Sequence, residues 1–385
     1  MFAIPLAWLQ LKREKMRLLI ALAGIGFAVI LMFIQLGFQD ALFDSAITMH
    51  KELQGDIFLI SPQSTSMIAM KNFSQRRLYQ TLGYSGVESI SPIYLDFALW
   101  KNPENQRTRG ILVIGFDPSR PIFSRELVPD LTPIRLPDVV LFDEKSRAEF
   151  GSIPKMFATG KPVVTEAAGR RLTVGGLFAL GASFGADGNI ITSDTNFLRI
   201  FSRRTSGMID VGMVTLKPGS DLDSLIKQMR RDLQDPFEDV KVLSKVEFIE
   251  FERDYWRSST AIGFIFTLGT AIGFLVGTVI VYQILYTDIT DHLAEYATLK
   301  AMGYRNFYLL TLVFQEAVIL SILGFIPGFL LSLGLYNLTR NATSLPIDMT
   351  TDRAILVLCL AMTMCIISGA IAVRKVQDAD PADIF

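Results

Sequence analysis

Two histidines, two cysteines and one glycine-flanked serine are the places where this chain could do chemistry of its own. The run Gly181-Ala182-Ser183-Phe184-Gly185 has the form of a nucleophile elbow and follows a strand-like stretch, as that motif requires. The residues after it, Ala186-Asp187-Gly188-Asn189, are turn chemistry rather than the start of a helix. A serine nucleophile also needs a histidine. His50 lies just past the first long apolar segment, and His292 lies across a second such segment. The run therefore reads as a mobile glycine-rich loop, with a membrane-anchored Ser183 enzyme as the minor alternative. Cys359 and Cys365 sit six apart within an apolar stretch, on different helical faces, which suits packing and not metal or redox work. Gly160-Lys161 is followed by Pro162 and lacks the upstream glycine of a phosphate loop, so no nucleotide hydrolysis is expected on this chain. Catalytic, cofactor and metal residues are all expected to be none.

The elements around these residues explain the shortage. The chain has 385 residues and is 19% charged, against about 25% for a soluble globular domain. The deficit is local. Residues 18–38, 258–287, 306–339 and 354–373 contain one charge, Glu316. Lipid offers no partner for backbone N–H and C=O groups, so such runs must be helical. About 20 residues at ~1.5 Å each cross a hydrocarbon core of ~30 Å. Four transmembrane helices follow from this. The third stretch exceeds one span, and Pro327 between Gly324 and Gly328 marks where it would bend. The first run is too long for a signal peptide and lacks a cleavage site, so it reads as an uncleaved anchor. A wholly soluble protein, a disordered chain and a basic nucleic-acid binder are disfavoured.

Lys12, Arg13, Lys15 and Arg17 precede the first span; Lys300 and Arg305 lie in the 288–305 loop; Arg374 and Lys375 follow the last span. The excess of positive charge places both termini and that loop in the cytoplasm of an inner-membrane protein. In the short outer loop 340–353, Arg340 and Arg353 are balanced by Asp348 and Asp352. Residues 39–257 then form one extracytoplasmic domain without cysteine, folded without disulfides.

That domain reads as mixed α/β. Strands are expected at Asp56–Ser61, Ser91–Trp100, Arg109–Phe116, Val139–Phe142, Leu172–Phe178 and Asn189–Ile191, with residues 117–138 irregular. Asp210–Lys217, a Pro218-Gly219 turn, a helix capped by Ser220 or Asp221, and a strand from Asp239 make a βαβ unit. Phe248–Trp256 reads as a helix entering the second span. No internal repeat is present.

Within the membrane part, Glu316 is a functional or inter-helix pairing candidate set against a structural, interfacial one. Gly269, Gly273 and Gly277 form a small-residue stripe for close helix packing or dimerisation, and Gly24 and Ala28 offer a matching face. The 288–305 loop reads as a short amphipathic helix with Ile289, Leu293, Tyr296 and Ala297 on one face, ended by Gly303. The cytoplasmic segment 1–17 reads as an interfacial helix carrying Trp8, Lys12, Arg13 and Arg17.

Three stretches together resemble the FtsX/MacB-type permeases of ABC systems. Trp8 to Arg17 running into Gly24-Ile25-Gly26 looks like their start of span one. Glu295-Tyr296-Ala297-Thr298-Leu299-Lys300-Ala301-Met302-Gly303-Tyr304 looks like their cytoplasmic loop. Asp380-Pro381-Ala382-Asp383-Ile384-Phe385 looks like their short tail (374–385). The wording of loop and tail is nearest the cyanobacterial DevC branch. The resemblance implies a homodimeric, non-catalytic subunit of the mechanotransmission type. Asp291, Glu295, Lys300, Gly303, Tyr304 and Arg305 would receive the motion of a separate DevA-like ATPase, on which ATP and Mg²⁺ act. A DevB-like membrane-fusion adaptor, a TolC-like outer-membrane channel and glycolipid or another hydrophobic envelope cargo are implied, with no nucleic-acid partner. The alternative use of the scaffold is FtsX-like signalling to a periplasmic hydrolase in cell division.

Overall fold

A computed structural model describes residues 15–234, 238–292, 306–343 and 345–377, together with Thr298 and Met302. In chain order it begins with α1 (Lys15–Ala46), α2 (Thr48–Glu52), β1 (Ile57–Ile60), α3 (Gln75–Gln80), β2 (Val87–Lys101) and β3 (Thr108–Phe116). It continues with β4 (Val139–Asp143), α4 (Ile153–Ala158), β5 (Val163–Ala167), β6 (Arg170–Phe178), β7 (Asn189–Ser193) and α5 (Asp194–Ile200). It closes with β8 (Val211–Leu216), α6 (Leu222–Met229), β9 (Lys241–Ser244), α7 (Lys245–Asp254), α8 (Ala261–Asp291), α9 (Asn306–Thr343) and α10 (Thr351–Gln377). The chain divides into a membrane unit, residues 1–41 with 261–385, and an outer unit, residues 42–260.

In the membrane unit, α1, α8, α9 and α10 are each long and apolar enough to cross a bilayer. Their shared core includes Ile25, Val29, Phe33, Leu285, Leu320 and Met364. The helices overrun the apolar runs. α1 passes Phe38 to reach Ala46, and α8 passes Thr287 to reach Asp291. The polar residues at these helix ends find partners on neighbouring helices, so the helix need not stop where the hydrophobicity does. α9 is continuous through Pro327. Gly324 and Gly328 serve it as contact points instead: a Cβ on Gly328 would come within 2.7 Å of Val29 Cγ1, and one on Gly324 within 2.5 Å of Ile25 Cγ2.

The outer unit holds a nine-stranded sheet in the order β9-β1-β8-β2-β3-β7-β4-β6-β5, and β5 also pairs with the end of β2. That last pairing closes β2, β3, β7, β4, β6 and β5 into a six-stranded barrel, with Trp100, Phe142 and Val113 among its buried residues. The other strands form an antiparallel sheet ordered β9-β1-β8-β2, with α3 following β1 and α6 following β8. This is the split βαβ arrangement of ferredoxin-like units, with the barrel inserted between its second and third strands. The βαβ expectation near residue 210 is thereby corrected. β8 and β9 do not lie side by side, because β1 is slotted between them and runs antiparallel to both. Asp221, not Ser220, caps α6, accepting a hydrogen bond from the Ser224 N–H. β5, α3, α4 and α5 have no counterpart among the expected elements. They are short, and their sequences carry little period of their own.

Candidate functional site

Three residues singled out for different reasons meet in the membrane unit. Arg17, in the first turn of α1, donates from Nη1 to Asp288 Oδ1 at 3.2 Å and from Nη2 to Asp291 Oδ2. Glu316 of α9 lies against the same Asp288 carboxyl. His292 places Nδ1 3.7 Å from Asp288 Oδ1 and 3.0 Å from the Asp288 carbonyl oxygen. Asp288 and Glu316 are both buried, and each keeps one carboxylate oxygen with no hydrogen-bond partner. Glu316 of α9 thus faces Asp288 of α8 across the helix–helix contact. Among the described residues, one guanidinium bonds two carboxyl groups of α8, and Asp288 carries the contact on to Glu316 of α9.

Opposite charges in a low-dielectric region attract strongly, and burying them unpaired is expensive. Arg17 therefore fixes the starts of α1 and α9 to the end of α8. A displacement of the chain just after Asp291 is resisted by bonds to two other helices. This corrects the expected boundary at residue 288: Asp288, Ile289 and Asp291 belong to the membrane helix, because Arg17 supplies the charge that lets the helix continue.

A second clasp ties the far end of the unit. Arg353 of α10 bonds Asp40 of α1, lies over the Tyr336 ring of α9, and donates from Nη1 to the Asp348 carbonyl at 2.7 Å. Tyr336 Oη donates to the Phe33 carbonyl. Of the charges counted in the 340–353 loop, Arg340 pairs with Asp348, and Arg353 reaches Asp40 of α1. No sequence signal marks Asp40 as a partner, since 313 residues separate it from Arg353.

Between the clasps, the small residues pack within the chain. A Cβ on Gly277 would lie 2.2 Å from Met364 Sδ and 2.7 Å from Ala28 Cβ. One on Gly24 would lie 2.6 Å from Ile280 Cγ2, and one on Gly269 2.6 Å from Gln35 Cδ. Gly273 would meet only ordinary contacts. Sequence reasoning missed Gly26 of α1 as a packing residue and read Gly324 and Gly328 only as a place to bend; the i, i+4 spacing of the latter two in α9 was the available signal. Cys365 is buried and Cys359 exposed.

Trp8, Lys12 and Arg13, and Glu295, Lys300, Gly303, Tyr304 and Arg305, lie outside the described residues, as do Leu293, Tyr296 and Ala297.

In the outer unit, the Gly181–Gly185 run is held rather than mobile. Gly181 N–H and Asn189 Nδ2 both donate to Asp143 Oδ2 at 2.8 Å, Phe184 N–H donates to Ser45 Oγ, and Asp187 pairs with Arg109 and Arg147. Ser183 Oγ accepts from the Ala186 N–H of its own loop. Both ring nitrogens of the buried His50 are without a hydrogen-bond partner, so no Ser–His pair forms.

The MacB-like periplasmic core domain matches residues 18–232, and the FtsX-like permease C-terminal region matches residues 261–381. The chain belongs to this family: it is a MacB/FtsX-like permease, a multi-pass inner-membrane component of ABC systems. Similar solved structures include the periplasmic region of MacB from Actinobacillus actinomycetemcomitans, at 11% identity and a TM-score of 0.36, covering 51% of this chain and 91% of that one. Another is the extracellular domain of the noncanonic ABC-type transporter YknZ from Gram-positive bacteria, at 14% identity and a TM-score of 0.33, covering 49% and 100%. Comparison with curated proteins found no match.

Proposed function

We propose that this chain is the permease subunit of an ABC exporter of the mechanotransmission type, nearest the DevC branch. It works as a homodimer with both termini in the cytoplasm. A DevA-like ATPase binds at the 288–305 loop and the N-terminal segment, and supplies all the ATP chemistry. The outer domain acts on a DevB-like adaptor joined to a TolC-like channel, for export of glycolipid or another hydrophobic envelope compound.

The observation that supports this reading best is the Arg17 junction. It joins the segment before span one, the segment leading into the loop, and the third span through Asp288, Asp291 and Glu316. A push on the loop is therefore shared at once by three helices, as a subunit driven from outside requires.

The test uses the permease and its ATPase reconstituted together. Charge reversal at Glu295 and Lys300 should weaken ATPase binding. Arg17→Gln should leave binding intact while reducing transport per ATP hydrolysed. Unchanged binding in the first pair and unchanged transport in the second would remove the loop and the junction from the mechanism.

A further inference from the structure

Outside the membrane unit, one buried cluster joins the first and last segments of the outer domain. His50 is in α2, directly after α1; Glu252 is in α7, shortly before α8. Both side chains are buried, with His50 Nε2 3.7 Å from Glu252 Oε2. Glu252 Oε2 accepts the Met67 N–H at 2.6 Å, and Oε1 accepts the Trp256 indole N–H at 2.8 Å. Phe248 packs on the imidazole, ring centroids 4.4 Å apart. A cavity of about 20 Å³, room for one water, is bounded by Met67, Ser183, Asn189 and Glu252 among others. Trp256 in turn meets Phe184 of the glycine-rich loop edge to face.

A buried histidine with two idle nitrogens beside a buried carboxyl is an unusual arrangement, since buried polar groups are normally paired. We propose that Glu252 and His50 form a proton-operated joint: a single proton, taken from or returned to solvent, switches Glu252 between gripping Met67 and Trp256 as a carboxylate and turning an O–H toward His50.

The chemistry of each state is simple. Ionised, Glu252 makes charge-assisted bonds to the Met67 and Trp256 donors. Protonated, it needs an acceptor for its own hydrogen, and the neutral imidazole offers Nε2 at 3.7 Å from Oε2. Burial pushes the Glu252 carboxyl up to about 7, against the opposing pull of its two N–H donors. Burial holds the imidazole down at about 3, so it stays neutral and able to accept.

The other charged groups of the surrounding elements pair elsewhere or lie toward solvent. Lys51 pairs with Asp44, Lys245 Nζ donates to the Leu53 carbonyl, Glu247 pairs with Arg230, Arg253 pairs with Glu250 and Asp44, and Asp187 pairs with Arg109 and Arg147. Asp56 accepts from the Leu216 N–H, while Asp254 and Lys71 are exposed and Glu52 half-buried.

The experiment follows Trp256 emission from pH 5 to 8.5 in the full chain in nanodiscs, assigned by difference against Trp256→Phe. The wild type should show a midpoint near pH 7, Glu252→Gln should be flat, and His50→Asn should move the midpoint to lower pH. A flat wild type, a midpoint that survives in Glu252→Gln, or one unmoved in His50→Asn would overturn the proposal. Should Glu252→Gln fail to fold, hydrogen exchange of the wild type decides. Protection of the Met67 amide, corrected for intrinsic rate, should change several-fold across neutrality, and constancy would overturn it.

Discussion

Arg353 places Nη2 2.6 Å and Nε 3.1 Å from the same oxygen, Oδ2 of Asp40, so α10 and α1 are joined by a forked bond to one atom. The arginine is buried while the aspartate is half exposed to solvent. Removing the arginine loses bonds to Asp40, to the Asp348 carbonyl and to the Tyr336 ring together. We expect Arg353→Ala to cost about 2 kcal/mol, the range for hydrogen bonds to charged groups. Asp40→Asn should cost less, and a double-mutant cycle should give a coupling of about 1 kcal/mol. Thermal unfolding of the purified protein in detergent measures all three.

The Arg17 junction predicts an asymmetric pair of effects. Arg17→Gln leaves two buried carboxyl groups in contact without their cation, which should cost about 3 kcal/mol. Glu316→Gln replaces one of two buried carboxyl groups in contact by an amide that can donate to Asp288, and should be neutral or stabilising. The double variant should recover much of the loss. If Arg17→Gln unfolds no earlier than the wild type, the guanidinium does not hold the junction.

The glycines of α8 should differ sharply from one another. Gly277→Ala forces a methyl against Met364 and Ala28, and overpacking of this kind costs about 1–3 kcal/mol. Met364→Ala should relieve it in part. Gly273→Ala meets only ordinary contacts, and Gly334→Ala in α9 meets nothing within 4 Å; both should be tolerated. Equal losses at all three positions would contradict the packing.

The joint in the outer domain predicts opposing pH slopes. Folded Glu252 titrates near 7 against an ordinary value of 4.5, so it retains a proton that the opened chain has lost. Its stabilisation is complete below 4.5 and fades as pH rises to about 7. His50 is the reverse: its ordinary value is 6.5 and the fold holds it near 3, so its contribution is present above 6.5 and fades as pH falls. Together they nearly cancel between 4.5 and 6.5. Hydrogen exchange over α7 should therefore vary little with pH in that window in the wild type. Protection should rise with pH in Glu252→Gln and fall with pH in His50→Asn.

Hydropathy and charge made the four spans and the strand–helix–strand near residue 210 readable, because both are local patterns. Pairings were not readable. Nothing in Val163–Ala167 says that it will return to Trp100 and Lys101 and close a barrel, and nothing in Phe58 says that its strand will separate β8 from β9. Among the candidate residues, Arg17 and Asp291 are visible as charges at the edges of apolar runs, and Glu316 as the one charge inside them. Their meeting is not, because it depends on how α1, α8 and α9 align. His50 stands in the sequence only as a histidine unsuited to serve Ser183, because the carboxyl it meets in the fold, that of Glu252, lies about two hundred residues away along the chain.

The strand Val87–Lys101 belongs to both parts of the outer domain. Ile93 pairs with Val211 on one side and with Phe116 on the other, marking the point where the strand leaves the open sheet and enters the barrel. The two parts of the outer domain thus share a single continuous backbone ladder, with no flexible linker along that strand. Torque applied to the open sheet must rotate the barrel with it. The far tip then behaves as the end of one rigid crank, whose throw is set by the length of β2.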